Sequence, residues 1–163
     1  MIRAVLALMS GLLCTLAGIR HAARLKLDAS RLERWVQLLN YLALLLGEGT
    51  LSIPEALSAA SDGSDPPDKL FREIAGRLTS HPLLSPADAY TQLAPSWTEK
   101  AALSRMFHRL SRGSRESRVL AARQTAEEIQ LLADSAAATA AKDARLWQTL
   151  GLIGGICLTI LLL

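Results

Sequence analysis

Few residues of this 163-residue chain have the type and spacing that chemistry needs. The three histidines, His21, His81 and His108, share no ligand-like spacing. His21 borders an apolar run, His81 precedes Pro82, and His108 sits among arginines that oppose a bound cation. Glu127 and Glu128 are adjacent acids, but neighbours on a helix point about 100° apart and do not converge on one substrate atom. Gly151, Gly154 and Gly155 lie in an apolar run, where small residues permit close packing of membrane helices, not in a phosphate-cradling loop. Cys14 and Cys157 also lie in apolar runs and behave as small hydrophobes, so neither a disulfide nor a metal site follows. No catalytic residue, cofactor or small-molecule substrate is predicted, and the chain is not expected to be an enzyme.

The arginines are different. Arg105, Arg109 and Arg112 are four and three residues apart and share one helix face, with His108 beside them and Arg115 just beyond. Three readings of this basic face are open: a solvated or lipid-facing surface, a docking site for an acidic partner, and a nucleic-acid site. Binding of nucleic acid is disfavoured because no aromatic residues interleave with the arginines to stack on bases. The partner-binding candidates are therefore Arg105, His108, Arg109, Arg112 and Arg115.

Composition sets the elements that must carry this face. Half of the residues are hydrophobic but only 4% are aromatic. The apolar share is mostly Leu and Ala, which favour helix over strand. Between Glu48 and Glu99 eight acidic residues face only Lys69, Arg72 and Arg77, a net of −5 in a chain of net +3, so the remainder carries +8.

Both ends are apolar. Ala4 to Ile19 has 16 residues without a charge and Leu146 to Leu163 has 18. A membrane-spanning helix needs about 20 residues, so the second run qualifies and the first reaches length only with Met1, Ile2 and snorkelling Arg3 and Arg20. The competing reading of the first run is a signal peptide cleaved after Thr15-Leu16-Ala17. Arg20, Arg24, Lys26, Arg31 and Arg34 follow the first run, and Lys142 and Arg145 precede the second. Basic residues gather on the cytoplasmic side of spanning helices, so residues 20–145 are expected to face the cytoplasm. The predicted division is a membrane helix over 1–19, a bundle over 20–145 and a membrane helix over 146–163.

Within the middle, Leu32, Trp35, Val36, Leu39, Leu42 and Leu46 form a helical stripe that Gly47-Glu48-Gly49 stops. Ser52-x-x-Glu55 with Pro54 opens a short helix. Further helices are predicted from about Asp68 to Leu78, from Ser85-Pro86 through Leu93, and from Ser96-x-x-Glu99 through Leu110. A last helix begins near Ser117, carries Leu120, Ile129 and Leu132, and meets no stop signal before Leu146. The expected fold is all-α: a bundle of about six helices, the last continuous with the C-terminal membrane helix.

Several segments resemble one family. Ala22-Ala23-Arg24-Leu25 follows the first apolar run, and Leu38 to Leu46 is followed by Gly47 and Leu51-Ser52-Ile53-Pro54-Glu55-Ala56-Leu57. The close is Lys142-x-x-Arg145-Leu146-Trp147-x-x-Leu150-Gly151-x-x-Gly154-Gly155. In this order, across nearly the whole chain, they resemble the stage III sporulation protein AB family of endospore-forming bacteria. One stretch departs: Ser111 and Arg118 stand where the family has Gly and Gln. Either Gly113 takes over that turn or its contacts differ.

The resemblance implies a component of the channel linking mother cell and forespore during engulfment. It implies a bundle similar to the cytoplasmic domain of the inner-membrane platform protein of type II secretion and type IV pilus machines. The implied partners are the secretion-type ATPase of the same complex (stage III AA), other stage III membrane components and the lipid bilayer. The implied location is the outer forespore membrane, with the bundle in the mother-cell cytoplasm. The alternative is a DNA-associated or other membrane-tethered binding protein that uses the basic face.

Overall fold

A computed structural model describes residues 27–93 and 95–162, with side chains for 27–93, 95–142, Leu146 and Thr149. Six helices account for most of these, and no strand occurs among the described residues: α1 over 27–48, α2 Ile53–Ala60, α3 Pro66–Ser80, α4 Pro86–Leu93, α5 Lys100–Arg112 and α6 Arg115–Leu162. The expected membrane helix over 1–19 lies outside the described residues. The second apolar run is helical in backbone to Leu162, but its side chains from 150 onward, with Gly151, Gly154 and Gly155, lie outside them too. Among the described residues no helix is long and apolar enough to cross a membrane.

The chain divides into two compact units, Arg31–Ala133 and a second formed by the ends, Met1–Ser30 with Asp134–Leu163. In the described part of the second unit, Ala140 is buried and the Thr139 hydroxyl donates back to the Ser135 carbonyl at 2.8 Å.

The Arg31–Ala133 unit is built around a column of rings. Trp35 of α1 meets Phe71 of α3 edge-on at 5.2 Å between centroids, and Phe71 meets Phe107 of α5 at 6.1 Å. Tyr90 of α4 stacks on Phe107 at 4.8 Å, and Trp97 closes the other end against Trp35 at 6.0 Å. Trp35, Phe71 and Phe107 have no exposed surface. Such offset and edge-on pairs add to the stabilisation from burial alone. Burial, with the Glu99 charge adding to it, pushes the Tyr90 phenol up to about 12, and its hydroxyl donates to the Lys100 carbonyl at 3.2 Å. Leu38, Leu39, Leu42, Leu57, Ile74, Leu103, Met106 and Leu110 fill the space around the rings.

The stops behave as their chemistry requires. Gly49 takes φ +70°, the left-handed conformation that ends a helix cheaply only at glycine, just past α1. An added Cβ there would collide with the Arg115 guanidinium. Arg115 in turn donates to the terminal α1 carbonyls, from Nε to Leu46 at 3.3 Å and from Nη2 to Gly47. At α2 the Glu55 carboxylate accepts from the Ser52 backbone N–H at 2.8 Å and from its hydroxyl at 2.7 Å, which holds Glu55 below the usual carboxylate range.

One expectation needs correction, and two apolar positions lie further out than the rest. The helix expected from Ser96 starts at Lys100, because the Glu99 side chain turns inward to an arginine instead of capping a helix at Ser96. Leu120, expected among the apolar positions of the last helix, is 55% exposed; Ala121, Ala122, Ala126 and Ile129 form the buried side of α6. Leu120 lies nine residues from the buried Ile129, about 180° around the helix, and so points outward. Val36 is half-buried at the edge of its stripe.

Candidate functional site

α5 buries Ala102, Leu103, Met106, Phe107 and Leu110, so its arginines point outward, as their spacing requires. Much of this basic face is used within the fold. Arg105 Nη2 donates to Glu128 Oε1 of α6 at 2.5 Å, and Arg109 Nη1 to Gln124 Oε1 at 2.6 Å. Arg115 is committed to the end of α1, as described above. Arg112 and His108 are exposed and make no hydrogen bond or ion pair among the described residues. Together with Arg109, Gly113 and Ser117 they line a shallow open cleft at the α5–α6 turn. Of the five basic candidates, then, three pin helices together and two remain available.

The departing turn takes the first of its two readings and adds contacts. Gly113 follows α5, with its N–H on the Arg109 carbonyl at 2.8 Å, and a Cβ there would lie 2.7 Å from that same oxygen. Ser111, in the place of the family's Gly, accepts the Ala87 N–H at 3.1 Å and donates to the Phe107 carbonyl at 2.8 Å, tying α5 to the first turn of α4. Arg118 is half-buried, and its Nε has no acceptor among the described residues.

Two buried carboxylates escaped the sequence reading. Asp68 has a fully buried side chain and accepts from Arg34 twice, Nε to Oδ2 at 2.9 Å and Nη2 to Oδ1 at 2.6 Å, and from the Gly63 N–H at 3.0 Å. Arg34 also reaches Asp62 at 2.8 Å, and Arg72 donates to the Ser61 and Gly63 carbonyls at 2.9 Å each. Two arginines and a carboxylate therefore clamp the 61–65 loop. The Arg34 bonds hold the Asp68 carboxyl below its usual range against the opposing effect of burial, with help from Gly63. Those bonds push the Arg34 guanidinium up in turn.

Glu99, also fully buried, accepts from Arg31 Nε at 3.1 Å, while the Arg31 guanidinium lies 5.2 Å from the centre of the Trp97 ring. Arg31 and Arg34, counted in sequence among the charges flanking the first apolar run, thus serve the interior of the bundle. Their i,i+3 spacing on α1 and the acidic 62–68 segment are the only signals that could have suggested it. These pairs fasten elements together; each carboxylate is engaged by its arginine and its side chain has no exposed surface.

Taken together, the geometry defines a small all-helical protein with an aromatic core, internal arginine clamps and a partly available basic edge. Over residues 3–163 the chain matches the family model of stage III sporulation protein AB, and it belongs to that family. Its role therefore lies in stage III of sporulation. No curated protein and no solved structure matches it.

Proposed function

We propose that this chain is a non-enzymatic membrane platform of the sporulation channel between mother cell and forespore, docking the secretion-type ATPase of the same complex through its helical unit. In this reading the two apolar ends are anchored in the outer forespore membrane, beside other stage III membrane components, and the helical unit faces the mother-cell cytoplasm. The observation that carries the docking is the exposed, unengaged pair Arg112 and His108 at the end of a face whose other arginines are already bonded. A cation that no internal acid neutralises is available to an acidic partner surface, where charge complementarity steers association.

The backbone of α6 adds support. It is hydrogen-bonded as helix from Arg115 to Leu162 with no glycine or proline before Gly151, so movement of a docked motor has a stiff element to act on.

The test is retention of the stage III AA ATPase by the full-length chain purified in detergent from sporulating cells. Arg112→Glu with His108→Glu is expected to weaken retention by about tenfold or more. Unchanged retention would remove this edge as the docking site. Salt-dependent binding of duplex DNA by the same protein, lost in the same variant, would favour the DNA-associated alternative.

A further inference from the structure

The outward face of α6 has an order that the docking reading does not use. Leu120 and Leu131 are 55% and 71% exposed, large for leucines on a helix whose opposite side is packed. They lie eleven residues apart, which is three turns plus about 20°, so both stand on one line along the helix. Between them, Gln124 and Glu127 flank that line on either side. Arg123 and Glu127, four residues apart, lie on its same flank, and neither makes a hydrogen bond or ion pair among the described residues. Glu128 and Gln124, by contrast, are already held by Arg105 and Arg109.

This stretch is its own complement when reversed. A two-fold axis perpendicular to α6 and passing beside it, at the level between Thr125 and Ala126, brings position 120 level with position 131 of a second copy and position 124 level with position 127. In an antiparallel pair of helices related by such an axis, each flank meets the same flank of the other copy. Leu120 then packs on Leu131 of the second copy. Arg123 falls within about one residue rise, 1.5 Å, of the level of Glu127 of the second copy, and the two pairs occur twice by symmetry. A parallel arrangement would put Arg123 level with Arg123 and lose the match. We infer that the α6 segment from Leu120 to Leu131 is a self-association surface, on which two copies of this chain pair antiparallel through Leu120–Leu131 contacts and Arg123–Glu127 ion pairs. The surface is small, in the range of weak, transient contacts. It is separate from Arg112 and His108, so it stands or falls independently of ATPase docking.

The test uses the full-length chain in membranes, with Cys14→Ser and Cys157→Ser as background and two differently tagged copies. One copy carries Leu120→Cys and the other Leu131→Cys. Oxidation is expected to link the two tags only in the mixture. Position 120 should not link to itself, since the two copies of that residue lie about 16 Å apart along the axis. A self-link at Leu120→Cys, or no link in the mixture, overturns the proposal.

A second measurement protects against a misfolded variant. Arg123→Glu is expected to reduce the mixed link about tenfold, because two ion pairs become two repulsions. Adding Glu127→Arg to it should restore the link. Failure of that rescue, with helicity by circular dichroism unchanged, also overturns it.

Discussion

Removing the Asp68 carboxylate would leave the Arg34 guanidinium and the Gly63 N–H around an emptied buried position, with the 61–65 loop held only by Arg72 and by the exposed Arg34–Asp62 pair. Breaking a buried ion pair from one side is costly, so Asp68→Ala is expected to destabilise the fold by about 3 kcal/mol in urea unfolding at pH 7. The pH dependence has a definite sign. The native pKa of Asp68 lies below that of the unfolded chain, so its stabilisation is present above about pH 4 and is lost as pH falls through the lower native value. Asp68→Asn should flatten the acid limb of unfolding midpoints collected from pH 7 to 2.5; an unchanged limb would remove Asp68 as its source. None of this could be read in advance, because Arg34 and Asp68 are 34 residues apart and helical periodicity carries no pairing information. The exposed residues were easier. The spacing of Arg105, Arg109 and Arg112 places them outward, but it does not reveal which of them finds an acceptor on α6.

At the level of elements, the stops carry the information. Gly47 and Gly49 are two residues apart and should respond to alanine with opposite signs. Gly49→Ala must hold a positive φ and displace the Arg115 guanidinium, so it is expected to cost about 1–2 kcal/mol. Gly47 sits in the last turn of α1 with open space where its Cβ would be, so Gly47→Ala is expected to gain about 0.5–1 kcal/mol. Thermal melts of the two variants should move several degrees in opposite directions; a shared direction would mean that the glycines do not act through conformation.

The same kind of signal explains what sequence reading got right. Proline at the first turn of α2 and α4, and the glycines after α1 and α5, mark boundaries because their backbone chemistry is local. It failed at α5 because Ser96-x-x-Glu99 has the form of a capping box, and only the distant Arg31 decides where the Glu99 carboxylate goes.

For the molecule as a whole, the all-helical class and the number of helices follow from a chain rich in Leu and Ala with regular breaks. The aromatic column does not, since ring contacts join elements far apart in sequence. All five of its rings lie within Arg31–Ala133, the larger compact unit. A fragment of those residues is therefore expected to unfold in one cooperative transition, with near-ultraviolet circular dichroism from its packed rings. A gradual melt without that signal would mean the unit depends on the ends of the chain.

The chain has seven aromatic residues, and five are spent on that column. Tyr41 is the most exposed ring among the described residues, at 48%. Binding hot spots elsewhere lean on tryptophan, tyrosine and arginine. With five of its rings committed to the column, this bundle has arginine left as its main means of affinity, so its recognition should be long-ranged, sensitive to ionic strength and readily tuned by single charge changes.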